Sequence, residues 1–352
     1  MNPQSGVLEK QQAGSGGAPG LRSRAPVFVL GCGRSGTKLL YHSLLSAGGF
    51  AVYHAESNAF NLLGSRFGDL GHRRNREKLL QLWLRSKLFE RSGLVRDEIE
   101  SLILNECRNT GDFLRILMEA IARKQGVERW AEATPLHTLY LPEIKRLVPN
   151  ALVVHIIRDG RDVALSLQKV GWIRPFPWDR TRSLVTCGLF WRWIVSKGRK
   201  YGRNMGTDYL EVRYEDLVTE PRETLRTISQ FIDQELDHER IQSVALGSVH
   251  DPNSSFKGDR EKELSPVGRW RGLLSQVQQV QLESAIGDLL TDLGCKLASS
   301  PQQIRPSFGV RMMRFLYPMF WDVKLWLKSK TPLARIADLR RMGVVEPDKS
   351  RT

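Results

Sequence analysis

The 352-residue sequence predicts an α/β fold, a three-layer, doubly wound sandwich with a mostly parallel central sheet and inserted helices. Three observations lead there. A short apolar, β-rich run passes through a glycine loop straight into an apolar helical period. A second such run, about 120 residues later, ends in a polar loop and again enters a helix, and a third repeats the alternation. Strands that alternate with helices bury their faces best as a parallel sheet covered on both sides.

Residues 1 to about 24 are rich in Gly, Ser, Gln and Ala with no hydrophobic period, and read as a flexible tail. Order begins at Pro26. Val27-Phe28-Val29-Leu30 is the first strand, Gly31-Cys32-Gly33-Arg34-Ser35-Gly36 the loop, and Leu39-Leu40-Tyr41 the start of the helix. From Arg76 to about Gln125 the period is helical, carried by Leu79, Leu80 and Trp83, by Ile99, Leu102 and Ile103, and by Phe113, Leu114, Leu117 and Ile121. These read as helices inserted after a short second strand. Leu152-Val153-Val154-His155-Ile156-Ile157 is the next strand, closed by Arg158-Asp159-Gly160-Arg161-Asp162 and followed by a helix through Ser166. Tyr209 to Tyr214 reads as a further strand, and Pro221 to about Ile232 as its helix. Residues 25–300 are thus one domain, and 301–352 a basic amphipathic extension whose helix is interrupted near Pro318.

Composition narrows the functional classes. With 53 Lys plus Arg against 38 Asp plus Glu, the net charge is +15, which favours anionic partners. The extension alone holds eleven Lys plus Arg and four Asp plus Glu, or 11 − 4 = +7. At 41% hydrophobic residues the chain is too apolar to be wholly disordered. Four scattered cysteines form no CxxC pair, so they read as reduced thiols and support neither a zinc knuckle nor a disulfide framework. No apolar signal-peptide core or membrane-spanning run is evident, which predicts a cytoplasmic protein with peripheral membrane contact as a further option.

In Gly31-Cys32-Gly33-Arg34-Ser35-Gly36-Thr37-Lys38 the glycines let backbone N–H groups converge on an anion at the positive end of the following helix. The Walker pattern fails here, because Thr37 takes the lysine position and Lys38 the hydroxyl position. Arg158 closes its strand, and Ser166 lies about two helical turns into the next element. The bland alternative is a pair of strand-to-helix turns, with Asp159 or Asp162 capping the second helix.

The first loop, Gly31 through Thr37 with Leu39-Leu40, resembles the 5′-phosphosulfate loop of sulfotransferases that use 3′-phosphoadenosine 5′-phosphosulfate, in the bacterial and tyrosylprotein-type branch. Arg158 to Ser166 is similar to that family's 3′-phosphate motif. The resemblance implies a P-loop-type fold, a donor held by Gly33, Arg34, Ser35, Gly36, Thr37, Lys38, Arg158 and Ser166, and no required metal. It also places Tyr214, in Val212-Arg213-Tyr214-Glu215-Asp216-Leu217, near the nucleotide. Ser255 and Arg269, fourteen positions apart, correspond to the late serine and basic residue that reach the 3′-phosphate, with Lys257-Gly258 a competing local candidate.

Sulfuryl transfer needs positive charge, alignment and a base for the acceptor's proton. Glu56 stands 22 residues after Arg34, as the catalytic Glu of tyrosylprotein-type enzymes follows its loop, and is the leading base; His54 and His137 are its rivals. Arg34 and Lys38 are the candidates for neutralising the leaving group. Relatives carry Lys where Ala133 stands, a role Lys38 is positioned to take over. Glu132 reads either as orienting the loop or acceptor or as a surface acid. Cys32 reads as a small filler, with redox control of the loop as its alternative.

The resulting expectation is transfer of a sulfuryl group to an acceptor hydroxyl on a glycan, lipid, peptide or small molecule. Its pocket would be framed by the inserted helices and the C-terminal segment. The alternatives are a P-loop small-molecule kinase and a catalytically silent basic membrane-binding protein of the same fold; no nucleic-acid partner is expected.

Overall fold

The computed structural model describes residues 22–64, 66–171, 176, 182–250, 265–304 and 306–331. Strands β1 (Val27–Leu30), β2 (Phe50–Ala51), β3 (Arg129–Glu132), β4 (Leu152–Ile157) and β5 (Tyr209–Arg213) form a sheet ordered β2-β3-β1-β4-β5, with every pair parallel. Helix α1 (Thr37–Ala47) links β1 to β2. Between β2 and β3 lie α2 (Arg73–Leu84), α3 (Lys87–Ser92), α4 (Arg96–Glu106) and α5 (Thr110–Lys124). Helix α6 (Leu141–Leu147) precedes β4, and α7 (Gly160–Val170) and α8 (Leu184–Gly202) follow it. After β5 come α9 (Tyr214–Thr219), α10 (Pro221–Ile232), α11 (His238–Val244), α12 (Trp270–Leu273), α13 (Gln276–Asp292) and α14 (Phe308–Lys330).

Three layers follow from the strands' own alternation. Successive strand side chains point to opposite faces. Val27 and Val29 of β1 join Leu152, Val154 and Ile156 of β4 in one apolar cluster, completed by Leu40 and Leu44 of α1 and by Leu225 and Ile228 of α10. Phe28 and Leu30 join Val153 and Ile157 in the other, against Phe113 and Leu117 of α5 and Trp191, Ile194 and Val195 of α8. Burial on both faces is what an all-parallel sheet requires, and it explains why β4 reads as a nearly unbroken apolar run.

Two elements depart from the sequence expectation. Strand β3 has charged residues at both ends, Arg129 and Glu132, yet both are buried. Arg129 satisfies the carbonyls of Ala25, Arg22 and Ile232 at 2.8–2.9 Å, so its charge is spent on tying the strand's start to the neighbouring chain. The expected interruption of the C-terminal helix is absent: α14 runs through Pro318 as one helix of 23 residues. Proline there removes one backbone donor. Tertiary packing holds the helix on either side of it. Tyr317 is buried with its ring 4.8 Å from Phe176, Trp321 lies 5.6 Å from Trp193, and Trp193 Nε1 donates to Asp322 at 2.9 Å. Helix α14 is therefore seated on α8 and α13 by an aromatic face. Among the described residues, no helix is long and apolar enough to cross a membrane.

Candidate functional site

Because β1 and β4 are direct neighbours, with Leu30 opposite His155, the loops that leave their C-terminal ends emerge side by side. In parallel α/β sheets this edge is where ligands bind. The first loop turns sharply. Gly31 N–H donates to Thr138 Oγ1 at 2.9 Å, Ser35 N–H donates to the Cys32 carbonyl at 3.0 Å, and Arg34 and Gly36 take φ of 75° and 96°. At Gly36 a Cβ would stand 2.3 Å from Cδ2 of Tyr214, so both the left-handed backbone and the ring beside it demand glycine. Helix α1 then starts with neither a side-chain cap nor an acidic residue in its first turn, leaving its positive end without a built-in counter-charge.

Around this loop the structure gathers Arg34, Arg158, Ser166, Tyr214 and Arg269. Arg34 Nε donates to Ser166 Oγ at 3.1 Å, and Arg158 Nη1 to the Arg34 carbonyl at 3.3 Å. The Arg158 guanidinium stacks 4.0 Å over the Tyr214 ring, and its other nitrogen reaches the Pro266 carbonyl. Asp162 accepts from the N–H groups of Gly268 and Trp270 at 2.8 and 3.0 Å, which brackets Arg269 and fixes it against the cluster. Burial and then the neighbouring Arg158 bring the Arg269 guanidinium down to about 10, and the same causes lower Arg34. Three cations held in one buried place raise each other's cost, which an anion between them removes. Ser35 Oγ and Arg158 Nε are buried with no hydrogen-bond partner among the described residues, two polar atoms left over by the protein itself. These residues fit a phosphate-bearing nucleotide. Ser255, with Lys257 and Gly258, lies outside the described residues.

Asp159 caps α7 by accepting from the Arg161 N–H at 2.9 Å, so the capping role applies to it alongside the cluster beside it. Arg161 is bound by Asp159 and Glu283 and stacks 3.7 Å over Trp270, a structural clamp of α7 to α13. Cys32 is fully buried and its thiol is pushed up by that burial, which fits the filler reading and not a reactive thiol.

Next to the loop opens a cavity of about 490 Å³ whose lining includes Lys38, His42, His54, Glu56, Arg91 and Ala133. Lys38 and Glu56 thus face one space, and Ala133 opens onto it too. Burial, then His54 and then Lys38 pull the His42 imidazole down to about 4, so it presents an uncharged ring at neutral pH. The inserted helices contribute through Leu88 and Arg91 of α3, as expected, whereas none of the described lining residues comes from α14. His42 was legible in principle, one helical turn after Lys38; Arg91 left no signal in the sequence.

Behind the cavity sits a buried network. Glu132 is not a surface acid: it is 2% exposed. Its Oε1 accepts from Ser57 Oγ at 2.7 Å, from Ser57 N–H at 3.3 Å and from the Thr134 hydroxyl; its Oε2 accepts from Thr134 N–H at 3.1 Å and His137 Nδ1 at 2.9 Å. Phe60 N–H donates to His137 Nε2 at 3.2 Å, so the ring proton sits on Nδ1 and both nitrogens are engaged. With zero exposure, His137 has no route to an acceptor proton and is removed as a base. Burial alone would raise the Glu132 carboxyl, but His137 and the Thr134 and Ser57 hydroxyls outweigh it and bring it down to about 2. The network immobilises Ser57, Asn58 and Phe60, the residues that follow Glu56.

Residues 26–238 match the model of the Sulfotransferase family. Two nematode chains carrying the name "Putative protein-tyrosine sulfotransferase" are similar: that of Caenorhabditis elegans is 31% identical over 107 residues, 30% of this chain and 40% of its own, and that of Caenorhabditis briggsae 27% identical over 134 residues, 37% and 46%. The matches thus span under half the length of these relatives. Among solved structures, the sulfotransferase domain of the Synechococcus PCC 7002 olefin synthase aligns with a TM-score of 0.45 at 18% identity, covering 74% of this chain and 94% of that one.

Proposed function

We propose, from the premise that this chain belongs to the sulfotransferase family, that it moves a sulfuryl group from 3′-phosphoadenosine 5′-phosphosulfate to an acceptor hydroxyl. The observation that carries the reading is the cluster of half-buried Arg34 with buried Arg158 and Arg269 around the glycine loop, beside a cavity that Lys38 and Glu56 share. The bound donor supplies a sulfuryl group activated by its link to a phosphate. The loop N–H groups, Ser35 and Arg34 hold the 5′ end, and Arg158, Ser166 and Arg269 hold the 3′-phosphate, with Tyr214 supporting the Arg158 plane. Glu56, partly exposed in the cavity, accepts the proton of the attacking hydroxyl. Lys38, exposed on the first turn of α1, offsets charge on the departing oxygen and fills the electrostatic role left open at Ala133. A tyrosyl side chain, the acceptor in the nematode relatives' name, is the first class to assay.

Calorimetric titration with 3′-phosphoadenosine 5′-phosphate, beside ATP plus magnesium, tests the donor site. The expected result is binding of the bisphosphate and not of ATP, lost in Arg158→Ala. Tight magnesium-dependent ATP binding would overturn the reading in favour of a kinase.

A further inference from the structure

Helix α14 has two apolar faces, and the fold uses only one. Tyr317, with Val310, Met313, Trp321 and Leu325, packs on the domain. Phe308, Met312, Phe315, Leu316, Met319, Val323 and Trp326 are instead 41–79% exposed. At 3.6 residues per turn these seven fall within an arc of about 100°, opposite Tyr317, and run from the start of the helix to its last turn but one. A contiguous exposed stripe of this size marks a contact surface.

The charge around the stripe says what contacts it. Helix α14 holds Arg311, Arg314, Lys324, Lys328 and Lys330 against Asp322, or 5 − 1 = +4. Along the edge facing α8, a second cavity of about 330 Å³ is lined by Arg192, Lys197, Lys200 and Arg314, with Asp322. Asp288 and Asp322 offset part of this charge through Arg192, Arg314 and Lys197, leaving Lys200 and the exposed Arg311 beyond those pairs. At about 100° per residue Lys324 and Lys328 fall on the domain-facing side, so the cationic edge of the stripe is the one toward α8, where Arg192, Lys197, Lys200, Arg311 and Arg314 outnumber Asp288 and Asp322. An apolar stripe with such an edge complements an interface with apolar chains below and anionic headgroups beside it.

We propose that α14 lies in the headgroup layer of an anionic phospholipid bilayer, with Phe315 and Met319 at the centre of the inserted face. The docked helix is joined to the reaction side of the molecule. Lys328 Nζ donates to the Asn61 carbonyl, in the buried turn Ala59–Leu63 that follows Glu56, which ties the domain-facing side of α14 to the Glu56 segment.

The full chain is sedimented with vesicles of phosphatidylcholine alone or mixed with phosphatidylglycerol, with no donor present, so the outcome is independent of the catalytic reading. Binding is expected to the mixed vesicles and weaker to the neutral ones, reduced by added salt. Phe315→Asp with Met319→Asp should weaken it by at least about tenfold, with an unchanged melting temperature and unchanged bisphosphate affinity, because both side chains are exposed. No binding to the mixed vesicles, or binding that the double variant leaves intact, overturns the proposal. So does a concentration-dependent dimer in the ultracentrifuge that the same variant dissociates, since a second copy then covers the face.

Discussion

Replacing Glu132 by Gln removes one carboxylate oxygen from a site where five donors converge on two. An amide NH₂ turned toward Oε2's partners meets His137 Nδ1–H and Thr134 N–H with a donor, and a proton shift on His137 only moves the conflict to Phe60 N–H. Each buried donor left unsatisfied costs roughly 1–3 kcal/mol, so the variant should lose about 2–5 kcal/mol at neutral pH. The titration of Glu132 expresses the same contacts as a pH dependence. Its carboxyl moves from 4.5 to about 2 on folding, worth about 3 kcal/mol at 1.36 kcal/mol per unit. The folded value is the lower one, so this stability is fully present above pH 4.5 and is lost as pH falls toward 2. About 2 kcal/mol of it should be gone by pH 3. Urea unfolding followed by tryptophan fluorescence, wild type against Glu132→Gln at pH 7 and at the lowest pH where both fold, reads the difference directly. A gap below about 1 kcal/mol at pH 7, or one that does not shrink on acidification, would refute the argument.

Three further outcomes are expected. Glu56→Gln should lower kcat by roughly 10²–10⁴-fold in a labelled-sulfate transfer assay while bisphosphate affinity holds, and loss of affinity with retained turnover would exclude it as the base. Lys38→Ala should depress turnover far more than nucleotide binding; equal loss of both would show a binding role only. Gly36→Ala places a methyl against the Tyr214 ring at φ 96° and should cost about 1–3 kcal/mol in a denaturation experiment, together with bisphosphate affinity.

What could be read from the chain was what depends on local periodicity. Strand β1, its glycine loop and α1, strand β4 with the turn into α7, and the start of β5 follow from apolar runs closed by polar punctuation. Strand β3 escaped because Arg129 and Glu132 look solvent-facing until their distant partners are known: Gln234 and Ile232 for one, Ser57 for the other. The same long-range pairing removed His137 from the candidate bases. The place of Tyr214 in the arginine cluster is legible only through family likeness, since nothing local says that its ring supports Arg158 and closes on Gly36. Pro318 misled because the rule against proline in helices is local, while the aromatic cluster that overrides it draws on Phe176, Trp193 and Trp321.

The sheet treats the two halves of the site unequally. The arginine-bearing loops leave β1 and β4, interior strands paired on both sides, whereas Glu56 and its cavity hang from β2, a two-residue strand at the rim with one neighbour. Interior strands are the last to open in local fluctuations and rim strands among the first. Mutations near β2 and α3 can therefore remodel the cavity at little expense to the arginine cluster. If the arginine cluster holds the donor and the cavity the acceptor, such a scaffold can acquire new acceptors over evolutionary time while its donor stays constant, and libraries aimed at a new acceptor belong at the cavity residues His54, Leu88 and Arg91, leaving Glu56 and the Ser57–Glu132 network intact.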